Sequence, residues 1–525
     1  MDIRPRVAVV GGGISGLATA YLLGTRDDAV RPDVTLIEAD NRLGGKILTR
    51  PFAGRPVDTG PDAFLTRAAD LRQLIADLGL TSSVVGPLSR NAYVLSRGKL
   101  RPLPQGTVFG IPQRLIPLLR SGLLSPLGVM RASADLVLPR RQLPADPSVK
   151  ELLQPRFGSE VYNRLVEPLL GGVHAGRAHL LSAASSVPDV DAIVRGSRSV
   201  YLGLRRRTAA GKRAAQPKSN ADQPKSKVYQ PKSGPAPSKS QPTPSKSQPP
   251  APVLASLDGG LGRLVEELVT ALTTPAPGVN AATLLTGAAA TLVQPIDTGF
   301  RITLANGETV DADAVVLATP AYATAELLGA LAPGAAGALR EIQHANVANV
   351  TLEYDPSAFR EPLEGTGFLV PPEENSFLVG CTWLSTKWPY LANGQSVLIR
   401  CAVGRHGDDR WMALGDDALI KAVHDELSTV LQLAKDPQQA IIQRWPNGMP
   451  QYTIGHADRL ARVDAALGDV AGLYVTGAAY RGVGLAGCVA QASRTAQAVL
   501  TRLANPALAN PVLTNPAAST QEVLP

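Results

Sequence analysis

Residues 6–24 read RVAVVGGGISGLATAYLLG. Val7, Ala8, Val9 and Val10 form an apolar run as long as a buried parallel strand. Gly11, Gly13 and Gly16 follow as G-x-G-x-x-G, and Leu17, Ala18, Ala20, Tyr21 and Leu22 continue as a helix face. Each glycine has its own reason. Gly11 permits the tight turn, Gly13 lets a pyrophosphate approach the backbone, and Gly16 lets helix and strand pack closely. The helix N-terminus, with Gly12, Ile14 and Ser15 around it, presents free N–H groups and the positive end of a dipole to phosphate. A glycine loop alone is a weak signal, but this one has its context. A second strand, VTLIE (34–38), ends in Glu38 about 20 residues on, where an acidic side chain holds a ribose hydroxyl, with Ala39 next to it.

The residues after Glu38 narrow the expected cofactor to FAD. EADNRLGGK (38–46) carries a second glycine pair, Gly44 and Gly45, flanked by Arg42 and Lys46. A nicotinamide domain has no need of it, whereas the diphosphate and ribityl chain of FAD run on past the first loop. VDTGPDAFLTR (57–67) comes next, and Gly60, Pro61, Asp62 and Ala63 are expected to bring backbone close to a flat ring. Near the C-terminus, YVTGAAYRGVGLAGCVAQASRTAQAVL (474–500) reads as strand, glycine turn and helix, with Gly477, Gly482, Val483, Gly484 and Leu485 facing the ribityl chain and flavin.

The composition is that of a globular chain, 44% hydrophobic and 18% charged over 525 residues, long enough for two or three domains. No apolar stretch reaches the ~18 residues of a membrane-spanning helix. The first strand begins at residue 6, which leaves no room for a signal peptide and implies the cytoplasm. The three cysteines and six histidines are scattered, so neither a disulfide framework nor a metal site is expected. The net charge of +8 invites a nucleic-acid reading, but residues 205–252 alone carry +10, leaving −2 for the remainder. No nucleic-acid partner is expected. That segment repeats QPKS and PSKSQP, is nearly free of apolar residues, and reads as a disordered basic insert. The N-P repeats from 504 to 525 read as a disordered tail.

The expected fold class is α/β. A Rossmann-like FAD-binding domain, discontinuous in sequence, combines residues 1–80, 253–330 and 440–503. A helical domain occupies 81–204, and a mixed-sheet substrate domain 331–439. Residues 68–80 and 148–170 look helical, and LANGE (304–308) has the Asn-Gly of a hairpin turn. Residues 103–139 are apolar and broken by prolines, as in a pocket wall or a membrane-resting surface.

Taken together, GGGISGLATAYLL, NRLGGKI, GPDAFL, VEPLLGGVHAG (166–176), SLDGGLGRL (256–264), GTGFLVP (365–371), WPNGMPQYTIGH (445–456) and YRGVGLAGCVA (480–490) resemble the porphyrinogen oxidases of the FAD-dependent amine oxidase superfamily. GPDAFL resembles the Gram-positive type, which acts on coproporphyrinogen III. The chain departs from the family in having His174 where tyrosine is usual and Ala486-Gly487 where Pro-Asp is often found. The resemblance implies non-covalent FAD, a hydride passing from a methylene bridge of the porphyrinogen to flavin N5, molecular oxygen as acceptor, and hydrogen peroxide as product. It also implies peripheral membrane contact and hand-over of the porphyrin to ferrochelatase. Val293 and Trp445 join the cofactor contacts on the same ground. For the substrate, Leu352, Phe368 and Trp383 are the expected apolar wall and Arg67 the expected cation at the rim. His174 is the one histidine in a substrate-side motif, and a structural role for it is favoured over catalysis. The rival readings are a protoporphyrinogen oxidase, an amine oxidase or desaturase with the same loops, and a flavin-binding escort protein without turnover.

Overall fold

A computed structural model describes residues 4–26, 30–214, 252–275 and 280–505. The segment expected as a disordered insert lies outside the described residues from 215 to 251, as does the tail from 506. Residues 205–214 do not belong to that insert. They continue the helix Val200–Ala214, whose first turns pack Val200 and Leu204 into the helical unit.

A five-stranded parallel sheet forms the first domain, in the order Thr283–Leu285, Asp33–Ile37, Arg6–Val10, Ala314–Leu317, Leu473–Val475. Its strands come from four distant parts of the chain, as expected for a discontinuous Rossmann-like domain. The chain runs to opposite sides of Arg6–Val10, so the loop after it sits at the topological switch point where such sheets bind ligands. The helix Ile14–Thr25 is apolar nearly all round because it is buried nearly all round. It packs between the sheet, Gly262–Thr273 and Leu485–Ala504. The expected hairpin is present. Gly299–Leu304 pairs with Thr309–Ala312, and Gly307 takes the positive φ of the turn.

The second sheet has seven strands, in the order Gln439–Pro450, His344–Tyr354, Val397–Val403, Leu378–Trp383, Gly367–Leu369, Tyr93–Ser96, Lys99–Pro102. It is mixed, with Gly367–Leu369 parallel to Tyr93–Ser96 and the other pairs antiparallel. Two expected boundaries shift as a result. Residues 439–450 belong to this sheet rather than to the FAD-binding domain, and residues 93–102 join it from the helical segment. The period of two then decides which residues face which side. Leu352, Phe368, Cys381, Trp383, Ile399 and Cys401 fall on the face covered by the helix Asp416–Leu431, in one core with its Leu419, Val423 and Leu427. Asn349, Arg400 and Leu369 alternate to the opposite face.

A helical unit covers part of that opposite face. Residues 148–170 are not one helix. Val149–Phe157 starts with a Ser148–Glu151 capping box and stops at Gly158, where φ is +88°. A π-helical segment, Tyr162–Val166, then leads into Glu167–His174. Gly172 of that last helix lies against Leu369 of the sheet.

The glycine loop explains itself by distance. A Cβ at Gly16 would stand 1.8 Å from the Gly11 carbonyl oxygen, whereas a Cβ at Gly13 would meet nothing within 4 Å. Gly16→Ala should therefore cost about 1–3 kcal/mol of stability by overpacking. Gly13→Ala should leave the melting temperature of the cofactor-free protein unchanged. Thermal unfolding of both apoproteins checks this, and equal melting points would contradict the packing.

Candidate functional site

Two helices point their N-termini into one cleft at the edge of the parallel sheet. Gly13 is the N-cap of Ile14–Thr25, and Gly484 is the N-cap of Leu485–Ala504. A side chain added at either position would enter open space. Ser15 of one first turn lies beside Cys488 of the other. Burial pushes the Cys488 thiol up, so it stays protonated. The expected second loop is locked onto the first. Gly44 N–H donates to the Gly12 carbonyl at 2.8 Å, and a Cβ at Gly45 would lie 3.0 Å from the Gly13 Cα.

Lys46 stands in the same cleft. Protein surrounds it on most sides, yet its side chain keeps solvent access. Desolvation depresses its pKa, and no carboxylate lies within ion-pair distance of it among the described residues. An exposed ammonium with no carboxylate beside it is available to an anion. Arg42 is different, because its guanidinium donates to the Gly45 carbonyl at 2.5 Å and so braces the loop. Glu38 reaches back to this loop, accepting from Gly12 N–H at 2.6 Å and from Asp40 N–H at 2.8 Å. Ala39 follows it, and the strand bearing Val293 continues from the Leu285–Ala288 loop that bonds to Glu38. These residues fit FAD. The two positive helix ends and Lys46 would take its diphosphate, Glu38 its ribose, and the open space at Gly13 and Gly484 its backbone-hugging chain.

The 58–62 segment is gripped from the opposite side by the seven-stranded sheet. Arg400 donates to the carbonyls of Asp58 at 2.8 Å and Gly60 at 2.9 Å. Asn349 donates to the Thr59 carbonyl at 2.8 Å, and the Trp445 indole donates to it at 3.3 Å. Asp62 turns away from the cleft. Its carboxylate takes Arg400 at 3.0 Å, Lys387 at 2.8 Å and the Trp388 indole at 2.9 Å. Burial alone would raise its pKa, but these two cations hold it well below the usual carboxylate range. Asp58 lacks that surplus of positive charge, and burial pushes it up to about 6 against its bonds to Thr49 and Leu261. The backbone of Gly60–Ala63 remains available to a ring, while the Asp62 side chain does not. Gly60 is glycine for a reason the sequence hid: a Cβ there would lie 2.0 Å from the Lys46 carbonyl oxygen.

The expected substrate wall is not a wall. Leu352, Phe368 and Trp383 are 0%, 2% and 3% exposed and lie in the core beneath Asp416–Leu431. A shift of one residue along each strand reverses the face, and the sequence offered no turn that fixed it. Leu369 and Arg400 lie on the other face, where Gly172 of Glu167–His174 rests against Leu369. Arg67 is partly buried, with Asp189 nearby, and that carboxylate is already paired with Arg207 at 2.5 Å. His174 ends its helix buried, with Nδ1 unpartnered and a pKa pushed down to about 4 by desolvation. Two groups near the cleft escaped the sequence reading. His344 lies close enough to Lys46 to feel its charge, and burial, opposed only by the Ile342 carbonyl, pushes it down to about 4. Tyr322 packs edge-on against it, with ring centroids 5.2 Å apart. Neither falls in a recognisable motif.

Comparison with known proteins agrees with this geometry. Residues 14–500 match the model of the flavin containing amine oxidoreductases. The chain is 32% identical to coproporphyrinogen III oxidase of Bacillus subtilis over 507 residues, covering 96% of this chain and 99% of that one. It is 36% identical to coproporphyrinogen III oxidase of Propionibacterium freudenreichii over 498 residues, covering 94% and 90%. A crystal structure of a candidate protoporphyrinogen oxidase from Exiguobacterium superposes with a TM-score of 0.76 at 29% identity, covering 95% of this chain and 99% of that one. The chain belongs to the flavin-containing amine oxidoreductase family.

Proposed function

We propose that this chain oxidises coproporphyrinogen III to coproporphyrin III, with non-covalent FAD as cofactor, molecular oxygen as acceptor and hydrogen peroxide as product. The likeness to coproporphyrinogen III oxidases over nearly the full length of both chains carries the choice of substrate. When bound, FAD supplies an acceptor for the hydride of a methylene bridge. Aromatisation of the macrocycle supplies much of the driving force, so the protein's task is orientation and electrostatics.

The residues divide that task. Gly11–Gly16, Glu38, Lys46, Gly60–Ala63, Trp445 and Val483–Leu485 hold the cofactor. The flat ring is placed on the side of the sheet that carries Arg400 and faces Glu167–His174, and Arg67 takes a propionate at its rim. His174 stays neutral because burial disfavours its charged form. A base that weak is a poor resting place for a pyrrole proton, so we assign His174 a hydrogen-bonding role and name no general base. The buried Cys488 thiol supports a non-covalent cofactor, since attachment would need the thiolate.

The surroundings of the site are proposed on separate grounds. Ile116, Leu119, Leu127, Met130 and Val137 are more than half exposed, in helices and turns flanked by Arg114, Arg120, Arg140 and Arg141. An apolar patch rimmed by cations suits contact with an anionic membrane surface. Among the described residues no helix is long and apolar enough to cross a membrane. The three cysteines are free thiols, two of them, Cys381 and Cys401, directly opposite each other across strands, which fits the cytoplasm. A free porphyrin is consumed by metal insertion, so hand-over to ferrochelatase completes the proposal.

Four outcomes test these readings. Acid-quenched protein should release FAD into the supernatant, and porphyrin fluorescence should grow faster from coproporphyrinogen III than from protoporphyrinogen IX. A preference for protoporphyrinogen IX would overturn the substrate. Gly13→Val should fold and stay colourless, because the new side chain fills the space left for the pyrophosphate. Full flavin absorbance in that variant would contradict the site. The doubly substituted Leu127→Asp, Met130→Asp protein should stop co-sedimenting with anionic vesicles while keeping its turnover in solution, and unchanged sedimentation would remove the membrane contact.

A further inference from the structure

Tyr452 stands where three parts of the molecule meet. Its carbonyl accepts from Ser182 N–H of the helical unit at 2.8 Å. The preceding residue, Gln451, donates its N–H to the Gln343 carbonyl, just before the strand His344–Tyr354 of the large sheet, also at 2.8 Å. Its side chain crosses to the C-terminal glycine loop. There the phenol donates to the Ala478 carbonyl at 2.7 Å and accepts from Gly482 N–H at 2.9 Å. The ring stacks on His456 with centroids 4.0 Å apart and planes 14° apart. His456 in turn places Nε2 3.0 Å from the Tyr480 carbonyl, in the same loop. Gly482 has φ +137°, a conformation that only glycine adopts readily, so the turn depends on its fastenings.

The loop is also held from the helix side. The Gln491 amide accepts from Arg481 N–H at 3.0 Å and donates to the carbonyls of Gly482 and Gly487 at 3.2 Å. A Cβ at Gly487 would lie 2.8 Å from the backbone of Gly482, so loop and helix touch without an intervening side chain. The turn is thus clamped between Tyr452 and the first turn of Leu485–Ala504. It leads directly into Val483, Gly484 and Leu485.

We propose that Tyr452 is a positioning residue for flavin chemistry: its phenol sets the Ala478–Gly482 turn, and through it the backbone that meets the cofactor at Val483–Leu485. The inference rests on the FAD reading above. Because its own backbone is pinned by the helical unit and lies beside the large sheet, Tyr452 also ties the flavin-facing loop to both of them. The phenol is fully buried and stays protonated, so the link does not change across the physiological pH range.

Tyr452→Phe tests this, since it keeps the stack on His456 and removes only the oxygen. The expected variant binds FAD stoichiometrically and its apoprotein melts near the wild type. Its visible flavin spectrum and midpoint potential are altered. Its kcat falls about tenfold with KM within about twofold, the pattern of an interaction lost in the reacting complex. Gly487→Ala presses on the same turn from the opposite side and should alter spectrum and kcat as well. It carries the test alone if Tyr452→Phe fails to fold. Wild-type spectrum, potential and kcat in the folded variants, or a change confined to KM, would overturn the positioning role. A wild-type protein that binds no FAD would overturn the cofactor reading instead, before either variant is made.

Discussion

One buried guanidinium joins the halves of this molecule. Arg400 is 9% exposed, and it spends its donors on the Asp58 and Gly60 carbonyls and on the Asp62 carboxylate. Burying a charge is costly unless it is paired and hydrogen-bonded, and here both conditions hold. The consequence is geometric. The 58–62 segment belongs by sequence to the dinucleotide-binding half, yet its position is dictated by a strand of the second sheet. Any ring bound against that segment is therefore held in register with the second sheet. Lys387 and Trp388 complete the set around Asp62, so the carboxylate is fully occupied and its partners cannot swing elsewhere.

The remaining electrostatics point the other way, toward an anion. Two helix N-termini and Lys46 share one cleft, and nothing in the described chain neutralises the lysine. A positive end of a helix dipole favours an anion by roughly 0.3–1 kcal/mol when exposed, and more when partly buried. The lysine and the two helix ends together mark the place where a diphosphate fits.

The sequence made some of this plain and concealed the rest. The parallel sheet, the first loop and the hairpin at Asn306-Gly307 were legible because each has local chemistry that admits few alternatives. Gly16, for example, was read as a packing glycine, and the Gly11 carbonyl does occupy the place of its Cβ. The wall residues Leu352, Phe368 and Trp383 were misplaced because apolar residues occur on both faces of a sheet covered on both sides, so period two alone does not say which face is which. Asp62 was read as a cofactor contact with the whole Gly60–Ala63 stretch, and the partners of its side chain, Lys387 and Arg400, lie more than three hundred residues away. Tyr452 and His456 were noticed within their motif, but their task depends on the turn at 478–482, whose approach only the tertiary fold reveals.

If a porphyrinogen reduces a flavin held between these two halves, mixing the purified holoprotein with excess coproporphyrinogen III in the absence of oxygen should bleach the visible flavin band, and admitting oxygen should restore it. A flavin that stays oxidised in the presence of the porphyrinogen would rule that chemistry out.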